Sequence, residues 1–399
     1  MSRMSCAQST SCCRKHPKAC LASSRARATQ VPRDAYHEWV PRRRAAPTVC
    51  VVSVVTAQLL SGWGGYAVEQ NANWALAHGY KYVLFTNILL PSGLPAVWSK
   101  PRAALSVLQQ GERECAIVFF LDGDAVVHGV HRSLDEVISS FLPVGGPDLV
   151  MSCHSPFGRH GACHVGDSCR CDRSMAEHCP RRALEKMLER PIAGARVPPY
   201  CHINSGAYLA RNSAPSLELM GWWALMKGCS SAAFGRGAPE QACAIRMKNQ
   251  WPRLVDVVSA RHFNTPAWFH TNYDSAADPV RVYEAARLRP NSSGGGCFDD
   301  PAAFVCHLWN AMRMSASRLL ALREAAFARE LNARRPQLHT LVEARGERYI
   351  NVSALVSIVT ARGAGGLAGG TGHRSRSGHP GRRRPTHGSS THVITQPTN

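Results

Sequence analysis

Ala116-Ile117-Val118-Phe119-Phe120-Leu121-Asp122-Gly123-Asp124 is the stretch that decides the fold. Six apolar residues in a row, followed by acids and a glycine, form a short strand with apolar side chains on both faces. Such strands lie inside parallel sheets covered by helices on both sides. The C-terminal end of a strand of this kind is where open α/β sheets place their ligands. Here two carboxylates flank a glycine that lets the backbone turn, so both acids can face one hard divalent cation. Read alone, Asp-x-Asp is equally an ordinary solvated turn, and the rest of the chain has to separate the two readings.

Outward from this strand the pattern alternates. A β-branched run at 49–56 predicts a first strand. It is followed by the turn Ser61-Gly62-Trp63-Gly64-Gly65 and a helix over 67–78 with Val68, Ala72, Ala75 and Leu76 on one face. A strand at 80–85 and a helix at 98–109 lead into Asp122. After it come a helix at 132–141, with Ser133 and Glu136 spaced as a capping box, and a strand at 149–152. Strand 204–211, helices 213–226 and 240–248, and strands 253–258 and 303–308 follow, and helix 312–331 ends the series. Strands alternating with helices predict βαβ units and a mainly parallel sheet.

The totals set bounds. The 399 residues suffice for one large α/β domain with a sizeable core. The net charge of +20 is concentrated at the ends: residues 1–46 and 332–399 each carry ten Lys/Arg against two acids, which leaves +4 for 47–331. No nucleic-acid-binding motif or basic stripe interleaved with aromatics marks the middle, so no specific nucleic acid is expected as a partner. The expected layout is a basic disordered arm or targeting segment at 1–46, one folded domain at 47–331 and a basic Gly/Arg-rich tail at 332–399 that is mostly disordered, above all beyond about 345.

Sixteen cysteines are many for a cytosolic enzyme. Six of them, Cys153, Cys163, Cys169, Cys171, Cys179 and Cys201, lie in or beside a Cys/His-rich insertion at 153–199. No Cys-x-x-Cys pair is present, so disulfides are favoured over a zinc site, which stays open. No run of 18 apolar residues predicts a membrane span.

Several short motifs occur in order: Ala77-His78-Gly79-Tyr80-Lys81-Tyr82, Trp98-Ser99-Lys100, Asp122-Gly123-Asp124, Asn204-Ser205-Gly206-Ala207-Tyr208-Leu209-Ala210-Arg211, Glu240-Gln241, His262-Phe263-Asn264 and Phe304-Val305-Cys306-His307. Over residues 48–325 this set resembles the GT-A glycosyltransferases, most closely the fungal α-galactosyl and α-mannosyl transferases and the plant xyloglucan xylosyltransferases. The resemblance implies a Rossmann-like α/β fold of GT-A type. It also implies a nucleotide-sugar donor, a UDP-sugar by analogy, and a glycan or glycoprotein acceptor. Mn²⁺ or Mg²⁺, retention of configuration, a Golgi or other secretory lumen and possible membrane association belong to the same expectation. Asp122, Asp124 and His307 match the metal ligands. Lys100, Asp122, Asn204 and Gly206 match donor-binding positions, and Glu240 with Gln241 falls where the family has an acid-Gln pair near the anomeric carbon. After His307 the family's small residues are replaced by Leu308-Trp309-Asn310, and Arg313 is the candidate for the charge that meets the diphosphate.

An imidazole beside two carboxylates favours Mn²⁺ over Mg²⁺. If the reaction inverts instead, Glu240 becomes a general base. Two other classes stay open: a non-catalytic scaffold of the same fold that binds nucleotide sugar or glycan, and a polyanion-binding protein acting through its Arg-rich ends.

Overall fold

The acidic strand occupies the centre of a seven-stranded sheet. In the computed structural model, residues 36–86, 96–153, 203–225, 239–258, 265–266, 297, 303–307, 317–351 and 356–357 are described. The strands are β1 (Tyr36–Trp39), β2 (Val49–Val54), β3 (Lys81–Phe85), β4 (Ile117–Asp122), β6 (Leu149–Cys153), β7 (Ile203–Arg211) and β8 (Val255–Val258). Their spatial order is β1-β3-β2-β4-β7-β6-β8. β3, β2, β4, β6 and β8 run one way, and β1 and β7 run against them. The sheet is therefore mixed but mainly parallel, as the α/β reading requires. A second sheet has the order β5-β10-β9, from β5 (Ala125–Val127), β9 (Thr265–Pro266) and β10 (Val305–His307).

The described helices are α1 (Ala57–Leu60), α2 (Trp63–Ala77), α3 (Ser99–Leu108), α4 (Asp135–Phe141), α5 (Ala214–Leu225), α6 (Pro239–Gln250) and α7 (Ser317–Ala344). Alternate residues of β4 divide between the two faces, as the strand period requires. Val118 and Phe120 join the core under α3, α5 and α6. Ile117, Phe119 and Leu121 join the core shared with α2. Phe119 and Phe120 are fully buried, and burying each contributes about 2–3 kcal/mol.

β1 lies within the arm expected to be disordered, where it pairs antiparallel with β3. The expected elements are all present where the residues are described, with three differences. First, α2 begins at Trp63, inside the expected glycine turn. Gly64 is in place there because a Cβ would meet the Leu59 carbonyl oxygen at 2.7 Å. Second, Ser133 and Glu136 form no capping box. Ser133 Oγ accepts from the Asp135 amide, while Glu136 pairs with Arg132 at 3.5 Å. Third, the final helix runs to Ala344 with Pro336 inside it, well past its expected end at 331. Leu331, Leu338 and Val342 are buried, and Arg335 Nε and Tyr349 Oη donate to the buried Glu69 of α2 at 2.8 and 2.9 Å. These contacts outweigh the proline's loss of one helix bond.

Disulfides Cys50–Cys115 and Cys297–Cys306 tie described residues of the core, and the buried Cys243 is disulfide-bonded too. The first links β2 to the entry of β4 across a sequence separation of 65. Closing a loop of that length restricts the unfolded chain by about 4 kcal/mol in the entropic model. The Cys50→Ala/Cys115→Ala variant is accordingly expected to lose about 2–4 kcal/mol in denaturant unfolding. No helix among the described residues is long and apolar enough to cross a membrane.

Candidate functional site

The site forms where β4 ends. β4 and β7 are antiparallel, with Leu121 opposite Ala207, so the C-terminal end of one meets the N-terminal end of the other. Gly123 allows the turn between the acids to press against β2, because a Cβ there would lie 2.9 Å from Val55 Cγ2. The chain then continues directly into β5. Antiparallel pairing of β5 with β10 sets His307 opposite Ala125, the residue after Asp124.

His307 Nε2 thereby lies 2.9 Å from Asp124 Oδ1 and 3.8 Å from Asp122 Oδ2. One ligand atom from each of Asp122, Asp124 and His307 falls within 4.8 Å of the others. Two carboxylates and an imidazole form an oxygen-rich set with one borderline nitrogen, a donor set that suits a divalent cation. The imidazole is only 3% exposed.

β7 supplies the seat for that imidazole. Met151 of β6 pairs with Tyr208, but the next residue, Ser152, pairs with Asn204, so Ser205, Gly206 and Ala207 bulge out of the ladder. Bulges re-aim side chains next to sites. Asn204 Oδ1 accepts from the Gly206 amide at 2.7 Å, which fixes the bulge. A Cβ on Gly206 would fall 2.1 Å from His307 Cε1. The histidine therefore packs directly on glycine backbone, and no other residue fits at 206.

A second charged group adjoins the first. Lys100, near the start of α3, reaches Asp122 Oδ2 at 2.6 Å and Glu240 Oε1 at 3.6 Å. Glu240 opens α6 behind Pro239, but its side chain is only 1% exposed, so it is no solvated first-turn acid. Ser205 Oγ donates to Glu240 Oε1 at 3.1 Å, and Trp223 Nε1 donates to its backbone carbonyl at 2.9 Å. Glu240 Oε2 is buried without a hydrogen-bond partner among the described residues. A buried carboxylate oxygen left unpaired is costly, and a ligand hydroxyl would satisfy it.

The electrostatics follow from this packing. Burial works to raise the Asp124 carboxyl, but the His307 imidazole, as charge and hydrogen-bond partner, holds it below its ordinary value. Burial raises Asp122, the charge of Asp124 adds to the rise, and Lys100 only partly offsets it. Burial also disfavours the Lys100 charge, yet Asp122 and Glu240 outweigh it and hold the ammonium above the usual lysine range. A negative charge on Asp122 is thus costly in its present surroundings, and a further cation beside it would relieve that cost.

Solved structures similar in fold are a glycosyltransferase involved in glycosylation of the major capsid of PBCV-1, the apo form of mouse xyloside xylosyltransferase 1, and the galactosyltransferase LgtC in complex with donor and acceptor sugar analogues. Their TM-scores are 0.41, 0.37 and 0.37, each at 13% identity. The alignments cover 71%, 66% and 71% of this chain, and 99%, 98% and 95% of those chains. A likeness this distant bears on neither substrate nor reaction. No protein-family model matches the chain, and no curated protein matches it in sequence.

Of the residues singled out from the sequence, the structure brings Lys100, Asp122, Asp124, Asn204, Gly206, Glu240 and His307 into one cluster. Gln241 is half-buried one position after Glu240. Arg313, His262-Phe263-Asn264 and insertion residues 154–199 lie outside the described residues. Sequence reasoning missed three supports: Ser205 on Glu240, Trp223 on the Glu240 carbonyl, and Tyr208. Tyr208 stacks on Phe120 with ring centroids 4.8 Å apart and donates to the Lys100 carbonyl at 3.3 Å. Ser205 and Tyr208 had a signal, their place in the Asn204–Arg211 motif; Trp223 had none.

Proposed function

We propose that the chain is a metal-dependent glycosyltransferase of GT-A type, moving a sugar from a nucleotide-sugar to a hydroxyl of a glycan or glycoprotein. One observation carries the reading. Asp122, Asp124 and His307, the last 183 residues away from Asp124 in sequence, converge at the C-terminal end of a central strand. That is where α/β sheets bind ligands.

Asp122, Asp124 and His307 would hold Mn²⁺, and a bound divalent cation supplies charge neutralisation for a departing diphosphate. Lys100 adds a fixed ammonium beside the same cluster. Glu240 Oε2 is placed to accept from a donor-sugar hydroxyl, and its negative charge would favour positive character developing at the anomeric carbon. Ser205 and Trp223 hold Glu240 in that orientation, so little reorganisation is needed when the donor binds. A UDP-sugar donor, retention of configuration and kinship with the galactosyl, mannosyl and xylosyl transferases of fungal mannan and plant xyloglucan synthesis form the finer part of the proposal. The disulfides Cys50–Cys115 and Cys297–Cys306 favour an oxidising, secretory compartment.

A second reading draws on Lys100. Its ammonium already sits 2.6 Å from Asp122, where it stands in for part of a cation's charge. A scaffold that binds nucleotide sugar without turnover would use the cluster in that state.

The test is hydrolysis of UDP-galactose, UDP-xylose and UDP-glucose with Mn²⁺ or with EDTA, which needs no knowledge of the acceptor. UDP release that requires Mn²⁺ supports the transferase. Metal-independent binding without release favours the scaffold.

A further inference from the structure

β5 is the edge strand of the small sheet, bonded to β10 on one side only. A strand edge leaves backbone N–H and C=O groups without a ladder partner, and buried ones must be satisfied. Ala125, Val126 and Val127 are all fully buried, so water does not serve them.

Two side chains of α2 take the place of the missing strand. Asn71 Nδ2 donates to the Ala125 carbonyl at 2.8 Å, and Asn71 Oδ1 accepts from the Val127 amide at 2.9 Å. Gln70 Nε2 donates to the Val127 carbonyl. One carboxamide thus bonds both outward groups around Val126, much as the peptide group of a neighbouring strand would. Asn71 is 1% exposed and Gln70 4%, and neither enters the candidate catalytic cluster.

The position of this clamp matters. Ala125 follows Asp124 directly, and in the β5–β10 register it lies opposite His307. A single carboxamide therefore anchors the strand that starts at one candidate metal ligand and pairs with another. We propose that Asn71 is a positioning residue for the metal site, setting the separation of Asp124 and His307 through β5; this rests on the metal-binding reading above. The partners that hold metal ligands in place shape affinity nearly as much as the ligands do.

α2 carries its own control. Asn73, two residues on, makes the same kind of two-bond clamp to a different segment: Nδ2 donates to the Ile350 carbonyl at 2.6 Å, and Oδ1 accepts from the Ile350 amide at 2.8 Å. It is as buried as Asn71, but it holds the chain after α7 rather than β5.

The experiment compares Mn²⁺ affinity, by calorimetry on the full chain with Mn²⁺ alone, for wild type, Asn71→Ala and Asn73→Ala, beside their thermal midpoints. Asn71→Ala is expected to weaken Mn²⁺ binding about tenfold, while Asn73→Ala loses comparable stability and binds Mn²⁺ like the wild type. Equal affinities in the two variants overturn the positioning role. Should Asn71→Ala not fold, Gln70→Met, which removes only the bond to the Val127 carbonyl, decides by the same comparison, with a smaller weakening expected and wild-type affinity overturning the role. A wild type that binds no Mn²⁺ overturns the metal site itself, a separate outcome.

Discussion

Replacing Asp122 and Asp124 together by asparagine is expected to slow nucleotide-sugar hydrolysis by about a thousandfold, or about 4 kcal/mol of barrier. Two reasons make this the largest effect. The substitution removes both negative ligands at once, leaving His307 as the one remaining member of the set. It also keeps side-chain shape, so the strand end and its turn have no cause to rearrange. The singles should differ. Asp124→Asn severs the charge partner of His307 at 2.9 Å, whereas Asp122→Asn removes the nearest charge partner of Lys100 among the described residues and leaves Glu240 at 3.6 Å. Hydrolysis rates at saturating donor, with thermal midpoints as the folding check, read the outcome. A double variant that hydrolyses donor like the wild type would remove both acids from the reaction.

Gly206→Ala is expected to weaken Mn²⁺ binding by about 10–100-fold without touching a ligand. The new methyl group would sit 2.1 Å from His307 Cε1 and 2.7 Å from its Nδ1, so either the imidazole leaves or the bulge at 205–207 opens. Opening the bulge also shifts Asn204 and the Ser205 contact to Glu240, so donor turnover should fall further than metal affinity. A double-mutant cycle isolates the cause. In a His307→Ala background the space is vacated, and Gly206→Ala should cost almost nothing more in Mn²⁺ affinity. Additive losses in the cycle would show that the glycine acts on something other than the histidine.

The strand 116–121 and its acidic turn were legible because both signals are local: an apolar run, then carboxylates around a glycine. His307 was legible only through the order of motifs along the chain. What delivers it to Asp124 is the pairing of two three-residue strands, β5 and β10, each too short to show a period. The burial of Glu240 was hidden for a similar reason. An acid behind Pro239 reads as a solvated helix start, and only the approach of β7, Lys100 and Trp223 shows otherwise. β1 escaped notice because Tyr36-His37-Glu38-Trp39 has no apolar run; it is held partly by Glu38 pairing with Lys81 at 2.6 Å. The end of α7 was expected at 331, yet the helix runs on through Arg334-Arg335-Pro336, a proline that locally reads as a breaker. Its helix persists because Arg335 reaches Glu69, a tertiary contact that no local rule contains. The bulge that makes Gly206 indispensable is a property of pairing between β6 and β7, two strands separated in sequence by the insertion.

The most direct test of the central claim is calorimetric titration of the folded chain with UDP, in Mn²⁺ and in EDTA, beside a His307→Ala variant. The account predicts UDP binding that requires Mn²⁺ and is lost in the variant. Folded protein that binds neither UDP nor GDP in the presence of Mn²⁺ would contradict it.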